Sequence, residues 1–442
     1  MPAMSRLAAV LAAALLALAA CGGPAPSASP SASATAAPTA TPGLSASPAP
    51  SATPASSGDT AALYRQIEDQ VLAERGLPAK ERLEPTILSE AEARTRLEEQ
   101  FRKDNPPDEI AVSEGTLKAL GLLPADASLT DLNVEMLGSQ VIGYYDPEVK
   151  QLFVVSRSGK IGASEKSTFA HEFTHALQDQ SFDLEAIDGD AVGQGDRWLA
   201  RRAFVEGDAV LSMTQWLSRH LTAAELGELL EVDPEVQAQL ERMPAILREP
   251  LLFQYLQGFY FANGIWAKGG WEAVNDVYRR LPDSTEQVLH PEKYEAGEKP
   301  VEVRLDAAAL AKEMGSGWTV TPEDTLGEFQ LSVWLRENGV QALPAGAAAA
   351  GWGGDRVAYL RGPDGAYALA LVTAWDSDAD ATQFREAAAT AVEQIPGDGT
   401  VRLIQTRRLP GSEPRLYVAV LAASDAATLD RLGQAVHGEY GP

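Results

Sequence analysis

The chain has 442 residues, with 62 Asp and Glu against 36 Lys and Arg and a formal net charge of -26 at pH 7. That acidic excess opposes binding to nucleic-acid backbones and to anionic lipid surfaces, and it favours solubility. A single cysteine excludes an intramolecular disulfide framework, and the length suggests two folded units rather than one small domain.

At the N-terminus Arg6 precedes an uncharged Leu/Ala run from Leu7 to Ala20, of signal-sequence length and too short for a comfortable membrane span. Cys21 follows directly. From Gly22 to Gly58 the chain is almost entirely Ala, Ser, Pro, Thr and Gly, without a charged side chain. Such a stretch cannot bury enough apolar surface to offset its ordering entropy, so it reads as a disordered tether. Leu18-Ala19-Ala20-Cys21 resembles a bacterial lipobox. The resemblance implies a signal peptide over residues 1–20, lipidation of Cys21, and a protein anchored by lipid to the extracytoplasmic face of the cell membrane.

Folded structure is expected from Asp59 onward. Asp59 to Arg75 reads as a helix with Leu63, Ile67 and Val71 on one face and Gly76 as its stop. Ser89-Glu90-Ala91-Glu92 is a capping-box pattern opening a charged helix that ends before Pro106-Pro107. Ser113 to Leu120 and Thr130 to Leu137 form two shorter helical pieces. Gln140 to Tyr145 and Gln151 to Val155 are β-rich runs around the turn signal Asp146-Pro147-Glu148, which makes them a hairpin.

The next segment carries the chemistry. Ser164 is a candidate N-cap, no Gly or Pro falls between it and Gln180, and Phe169, Ala170, Phe173, Ala176 and Leu177 recur at helical spacing. Inside that helix lies His171-Glu172-Phe173-Thr174-His175. Histidines at i and i+4 stand one above the other, so both rings reach one metal ion from the same side. Glu172 is turned about 100° away, where it is placed to hold and deprotonate a metal-bound water. This is the layout of a zinc (Zn2+) hydrolase; a satisfied pair of core histidines is the plainer alternative.

A catalytic zinc takes three protein ligands and keeps one position for water. Leu199, Ala203, Glu206, Val210, Met213 and Leu217 form one stripe of a second helix, with Glu206 in the middle of an apolar face. A carboxylate buried there is costly unless it is paired or bound to metal. Glu206 is therefore the candidate third ligand, and an ion pair with Arg202 one turn earlier is the alternative. Asp208, on another face, and Glu185, Asp188 and Asp190, in an acidic connector, are further candidates.

With these residues in view the chain resembles the gluzincin metallopeptidases, in which H-E-x-x-H on one helix is completed by a glutamate on the next. Val205-Glu206-Gly207-Asp208-Ala209 looks like the E-G-x-A variants of the glutamate helix. Leu132 to Tyr294 is similar to a group of bacterial lipoprotein metallopeptidases. The resemblance implies a zincin-like core, zinc held by His171, His175 and Glu206, and Glu172 as general base. It also implies a peptide or protein substrate laid along an edge strand just ahead of the active-site helix. The separation of His175 from Glu206 is longer than in compact gluzincins. The metzincin pattern is absent, since no histidine follows His175 before His220.

Ala223 to Leu230, Glu249 to Phe261 and Trp271 to Arg280 are again helix-like, so this region is mostly helical around a small sheet. Beyond them His290 precedes Pro291. A histidine near the zinc donates to a developing oxyanion, which makes His290 a candidate catalytic group; a surface loop is the plainer reading. His220 and His437 are assigned no role. A break from Gly297 to Pro300 separates a unit over residues 59–297 from one over 301–442. In the second, Arg356 to Leu360 and Tyr367 to Trp375 read as paired strands, Asp378 to Gln394 as a helix, Arg402 to Thr406 and Arg415 to Ala422 as strands, and Ala426 to His437 as a helix. The expected fold is α+β: a mostly helical zincin-like catalytic domain, then a smaller ββαββα domain. The expected function is an extracytoplasmic, membrane-tethered zinc-dependent peptidase. The alternative is a catalytically inactive zincin-like lipoprotein acting as a binding or scaffold module.

Overall fold

A computed structural model describes residues 57–140, 143–155, 161–189, 193–231, 234–396, 401–406 and 415–440. The expected signal peptide, Cys21, the tether up to residue 56 and the connector residue Asp190 lie outside the described residues.

The first helix, α1 (Ser57–Arg75), buries Ile67 and Val71 and stops at Gly76, whose φ of 72° suits glycine. A short strand, β1 (Thr86–Leu88), leads into α2 (Glu90–Asp104). The capping box expected at Ser89 is present: its hydroxyl accepts from Glu92 N–H and the Glu92 carboxylate accepts from Ser89 N–H. α3 (Pro107–Ala119) starts earlier than the Ser113 suggested by its apolar spacing, because Pro107 occupies a first-turn position where its missing N–H costs little. After α4 (Leu129–Gln140) come β2 (Gly143–Asp146) and β3 (Gln151–Val155). They form the expected antiparallel hairpin, with Tyr145 opposite Leu152. β1 adds a parallel strand on the other side of β3, giving the order β1-β3-β2 and leaving β2 at an edge.

The helical body follows. It comprises α5 (Ala163–Phe182), α6 (Leu184–Gly189), α7 (Gly195–His220), α8 (Ala223–Leu229), α9 (Pro234–Arg242) and α10 (Ala245–Val277). The N-cap of α5 is Gly162 rather than Ser164; its N–H donates to the Glu165 carboxylate at 2.8 Å. α10 joins the helices expected before Phe261 and after Trp271, and its helical geometry breaks at Gly269 and Gly270 between them. α7 is the central helix, packed against α1, α5 and α10. Two short helices, α11 (Thr285–Leu289) and α12 (Pro291–Ala296), close this part.

Next come α13 (Ala307–Met314), β4 (Thr319–Val320), α14 (Gly327–Glu337) and α15 (Ala342–Ala349). The expected ββαββα order then appears as β5 (Trp352–Arg361), β6 (Tyr367–Trp375), α16 (Asp378–Gln394), β7 (Val401–Thr406), β8 (Tyr417–Ala423) and α17 (Ala426–Tyr440). The antiparallel sheet runs β4-β5-β6-β8-β7. Successive residues alternate between its two faces. Ala370 and Val372 pack with Leu310 and Leu432, whereas Leu369 and Leu371 share a core with Leu97, Phe101 and Leu117. One hydrophobic core thus draws residues from both sides of the break at 297–300, and Trp334 Nε1 donates to the Leu120 carbonyl at 3.0 Å across it. The architecture is mixed α+β. No helix among the described residues is long and apolar enough to cross a membrane.

Candidate metal centre

The site is built where α5 and α7 face each other. Phe169, Phe173, Ala176 and Leu177 are fully buried and fix the rotation of α5, which carries His171 and His175 inward. α7 is held from behind by an unusually close approach to α10. A Cβ on Gly207 would lie 2.0 Å from the Gly258 carbonyl oxygen, and one on Gly258 would lie 1.9 Å from that of Ala203. Only glycine permits this contact, which explains the glycine following Glu206.

Three donor atoms converge. His175 Nε2 is 3.0 Å from His171 Nε2 and 3.2 Å from Glu206 Oε2, and His171 Nε2 is 3.3 Å from Glu206 Oε2. Tetrahedral zinc, about 2.0–2.1 Å from each N or O donor, sets its donors about 3.3–3.4 Å apart. The observed triangle is close to that requirement. Two imidazole nitrogens and a carboxylate oxygen at this spacing repel through their lone pairs unless a cation or shared protons lie among them, so the donor set fits zinc. His171, Glu172 and Glu206 are 0% exposed and His175 is 4% exposed.

Burial raises the carboxyl of Glu206, but His175, His171 and Arg202 outweigh it and hold the group well below the usual carboxylate range. Burial lowers His171. It also acts downward on His175, where the charge and hydrogen bond of Glu206 prevail and leave the ring raised. Burial pushes Glu172 up to about 8. Glu172 Oε2 accepts from the Tyr145 N–H at 2.9 Å, and its Oε1 has no hydrogen-bond partner among the described residues. Because the Tyr145 N–H points to Glu172 and not to β3, the edge of β2 away from β3 faces α5.

Glu206 meets both sets of neighbours that the sequence left open for it. Its Oε2 faces the histidines while its Oε1 accepts from Arg202 Nη2 at 3.1 Å. The remaining acids have other partners. Asp208 is gripped by Arg75, Asp188 lies 3.7 Å from Arg202 Nη1, and Glu185 lies 4.0 Å from Lys150 Nζ. His290 is outside the triangle; its Nε2 is 2.9 Å from Glu328 Oε1, a hydrogen bond that raises its pKa. His220 Nε2 lies 3.4 Å from Glu74.

Sequence reasoning missed two neighbours of the site. Gln178, whose Oε1 lies 2.7 Å from His175 Nδ1, is three residues further along the same helix, and that spacing is a usable signal. Tyr255 on α10, its ring 6.0 Å from that of His171, carries no signal of proximity in the sequence.

Residues 318–436 match the model of a family described as a domain of unknown function (DUF8575). The match falls on the C-terminal sheet region and includes none of the residues of the triangle. No curated protein and no solved structure matches the chain.

Proposed function

We propose that the protein is a zinc-dependent peptidase of the gluzincin kind, with zinc held by His171, His175 and Glu206. The observation that carries this reading is the buried triangle of donors at 3.0, 3.2 and 3.3 Å. Bound zinc would supply Lewis acidity toward a carbonyl and lower the pKa of water to about 7. The chain's own residues do the rest. Glu172 takes the proton of the attacking water on Oε1 and delivers it to the leaving amine, while the Tyr145 N–H steadies Oε2. Arg202 keeps the far oxygen of Glu206 occupied, so the near one stays aimed at the histidines. An extended peptide laid along the sheet edge at β2 would lie beside Glu172, to which the Tyr145 N–H of that edge donates.

One observation favours a second reading. All four groups are buried, so a peptide carbonyl in solvent does not reach them as they stand. The protein would then be a zincin-like lipoprotein that binds or scaffolds without turnover. Two measurements separate the readings. The purified full chain should hold about one equivalent of zinc, and less than about a tenth removes the peptidase. Glu172→Gln should retain zinc and lower peptide hydrolysis by about 10²–10⁴-fold. Retained zinc with no effect on any peptide substrate leaves only the scaffold.

The placement we propose is lipid-anchored on the extracytoplasmic face, supported by the lipobox-like Leu18-Ala19-Ala20-Cys21. Cys21→Ser should release the protein from membranes. A wholly soluble native protein with an unmodified thiol by mass spectrometry would contradict the anchor.

A further inference from the structure

The two histidines of the triangle are held unequally. His171 Nδ1 is buried and has no hydrogen-bond partner among the described residues, whereas His175 Nδ1 lies 2.7 Å from Gln178 Oε1. The Gln178 amide has no choice of orientation. Its Nε2 is 3.0 Å from the Val205 carbonyl oxygen and 2.9 Å from Asp208 Oδ2, and both of these accept. The amide oxygen must therefore face the imidazole, so Nδ1 carries the proton. The lone pair of His175 is then on Nε2, the atom that stands in the triangle. A reversed amide would present hydrogens to Nδ1, drive the proton onto Nε2 and withdraw that atom from coordination.

Asp208 is fixed in turn. Arg75 Nε donates to Oδ1 at 2.8 Å and Nη2 to Oδ2 at 2.9 Å, and the Tyr278 hydroxyl donates to Oδ2 at 2.7 Å. Arg75 is the last residue of α1 and is fully buried, with its guanidinium 4.4 Å from the centre of the Trp271 ring. Its Nη1 has no hydrogen-bond partner among the described residues. A buried ion pair with an unsatisfied N–H is a poor source of stability, since apolar groups of similar shape often do as well or better. A guanidinium fork on a carboxylate is a good device for orientation.

We infer that Arg75, Asp208 and Gln178 form a buried chain of positioning residues that sets the tautomer of His175, making the N-terminal helix part of the metal centre. This rests on the zinc reading of the site. The chain joins α1, α7 and α5 in order, across a separation of 133 residues between Arg75 and Asp208.

The test uses the full chain and three readouts: zinc affinity by chelator competition, the urea midpoint of the metal-free protein, and the ring ¹⁵N shifts of selectively labelled histidine. Gln178→Leu removes the acceptor, and Asp208→Asn preserves volume while weakening one of the two contacts that orient the amide. Each should weaken zinc by about 10–100-fold, the usual cost of losing an outer partner of a metal ligand. In the metal-free protein each should move the proton of His175 toward Nε2 while leaving His171 as it was, a change that general loosening of the fold does not produce. Arg75→Met should weaken zinc by about ten-fold, at the lower end of that range. Wild-type zinc affinity and an unchanged His175 tautomer in a folded Gln178→Leu or Asp208→Asn variant overturn the inference. Should Gln178→Leu fail to fold, the near-isosteric Asp208→Asn decides. Unchanged affinity in Arg75→Met removes α1 from the metal centre. A wild-type chain that binds no zinc overturns the reading of the site itself, which these outcomes distinguish from failure of the positioning chain.

Discussion

His171, His175 and Glu206 on one side of the molecule, and Glu286, Glu298 and Asp376 on another, each bring three ligand atoms within 4.8 Å of one another. In the second group Lys293 Nζ lies among the acids, 2.6 Å from Glu286, 3.1 Å from Glu298 and 2.5 Å from Asp376. The chain supplies its own cation there. In the first group the resident cation, Arg202, stands behind the ligands on Oε1 of Glu206 and leaves Oε2 facing the two rings. The second group is also half open to solvent, with Glu298 and Asp376 exposed, while the first is sealed. Density of acid alone thus does not distinguish the two clusters. What separates the two is which oxygen the resident cation occupies, and whether the remaining donors have any other partner.

The two clusters differ most at Glu206. Glu206→Gln keeps the volume and removes the charge from the triangle. Zinc affinity measured by calorimetry should fall by more than about 100-fold, beyond the range of outer-partner changes. Arg202→Met leaves Oε2 in place and should fall within that range, by about 10–100-fold. In the metal-free protein each variant leaves a buried charge short of a partner, and each should lose stability, by up to about 3–5 kcal/mol. Arg202 keeps Asp188 at 3.7 Å when Glu206 is changed, and Glu206 keeps both histidines when Arg202 is changed, so the two losses in urea should be similar. Equal zinc affinity in both variants would mean that Glu206 is a partner of Arg202 and nothing more.

The parts of this centre that were legible in the sequence are those whose geometry is local. His171 and His175 sit at i and i+4 of a helix with an apolar face, and Glu206 interrupts the stripe from Leu199 to Leu217; both patterns survive in one dimension. The capping box at Ser89 and the β2–β3 hairpin were legible for the same reason. What periodicity does not record is the surface against which a face is buried. The Gly207–Gly258 approach, the reach of Arg75 to Asp208 and the meeting of Trp334 with Leu120 each join distant segments. β1 escaped notice because three residues are too few to show alternation, and their partner, β3, lies more than sixty residues later. The apparent boundary at Gly297 to Pro300 is a real change of composition. The core nonetheless passes it, because one face of the C-terminal sheet needs the apolar side chains of α2 and α3 to cover it.

In the second cluster a smaller effect is expected at Lys293. Lys293 is held charged: burial acts against it, but hydrogen bonds to Asp376 and Glu286 outweigh burial and raise its pKa. Burial pushes Glu286 up to about 7 even with the ammonium beside it. Lys293→Met would leave three carboxylates facing one another, and Glu286, 4% exposed against 20% for Lys293, would respond by holding a proton to still higher pH. The expected loss of stability at pH 8 is about 1–3 kcal/mol, below the figure for a sealed pair because Glu298 and Asp376 reach solvent. Between the unfolded pKa near 4.5 and the raised folded value, the native state of the variant binds more protons than the unfolded chain, so its stability rises as pH falls. Urea midpoints of variant and wild type should therefore lie furthest apart at pH 8 and draw together toward pH 5. A gap that stays constant across this range would show that Lys293 acts there by packing its alkyl stem, and the second cluster would no longer stand as the charge-filled counterpart of the first.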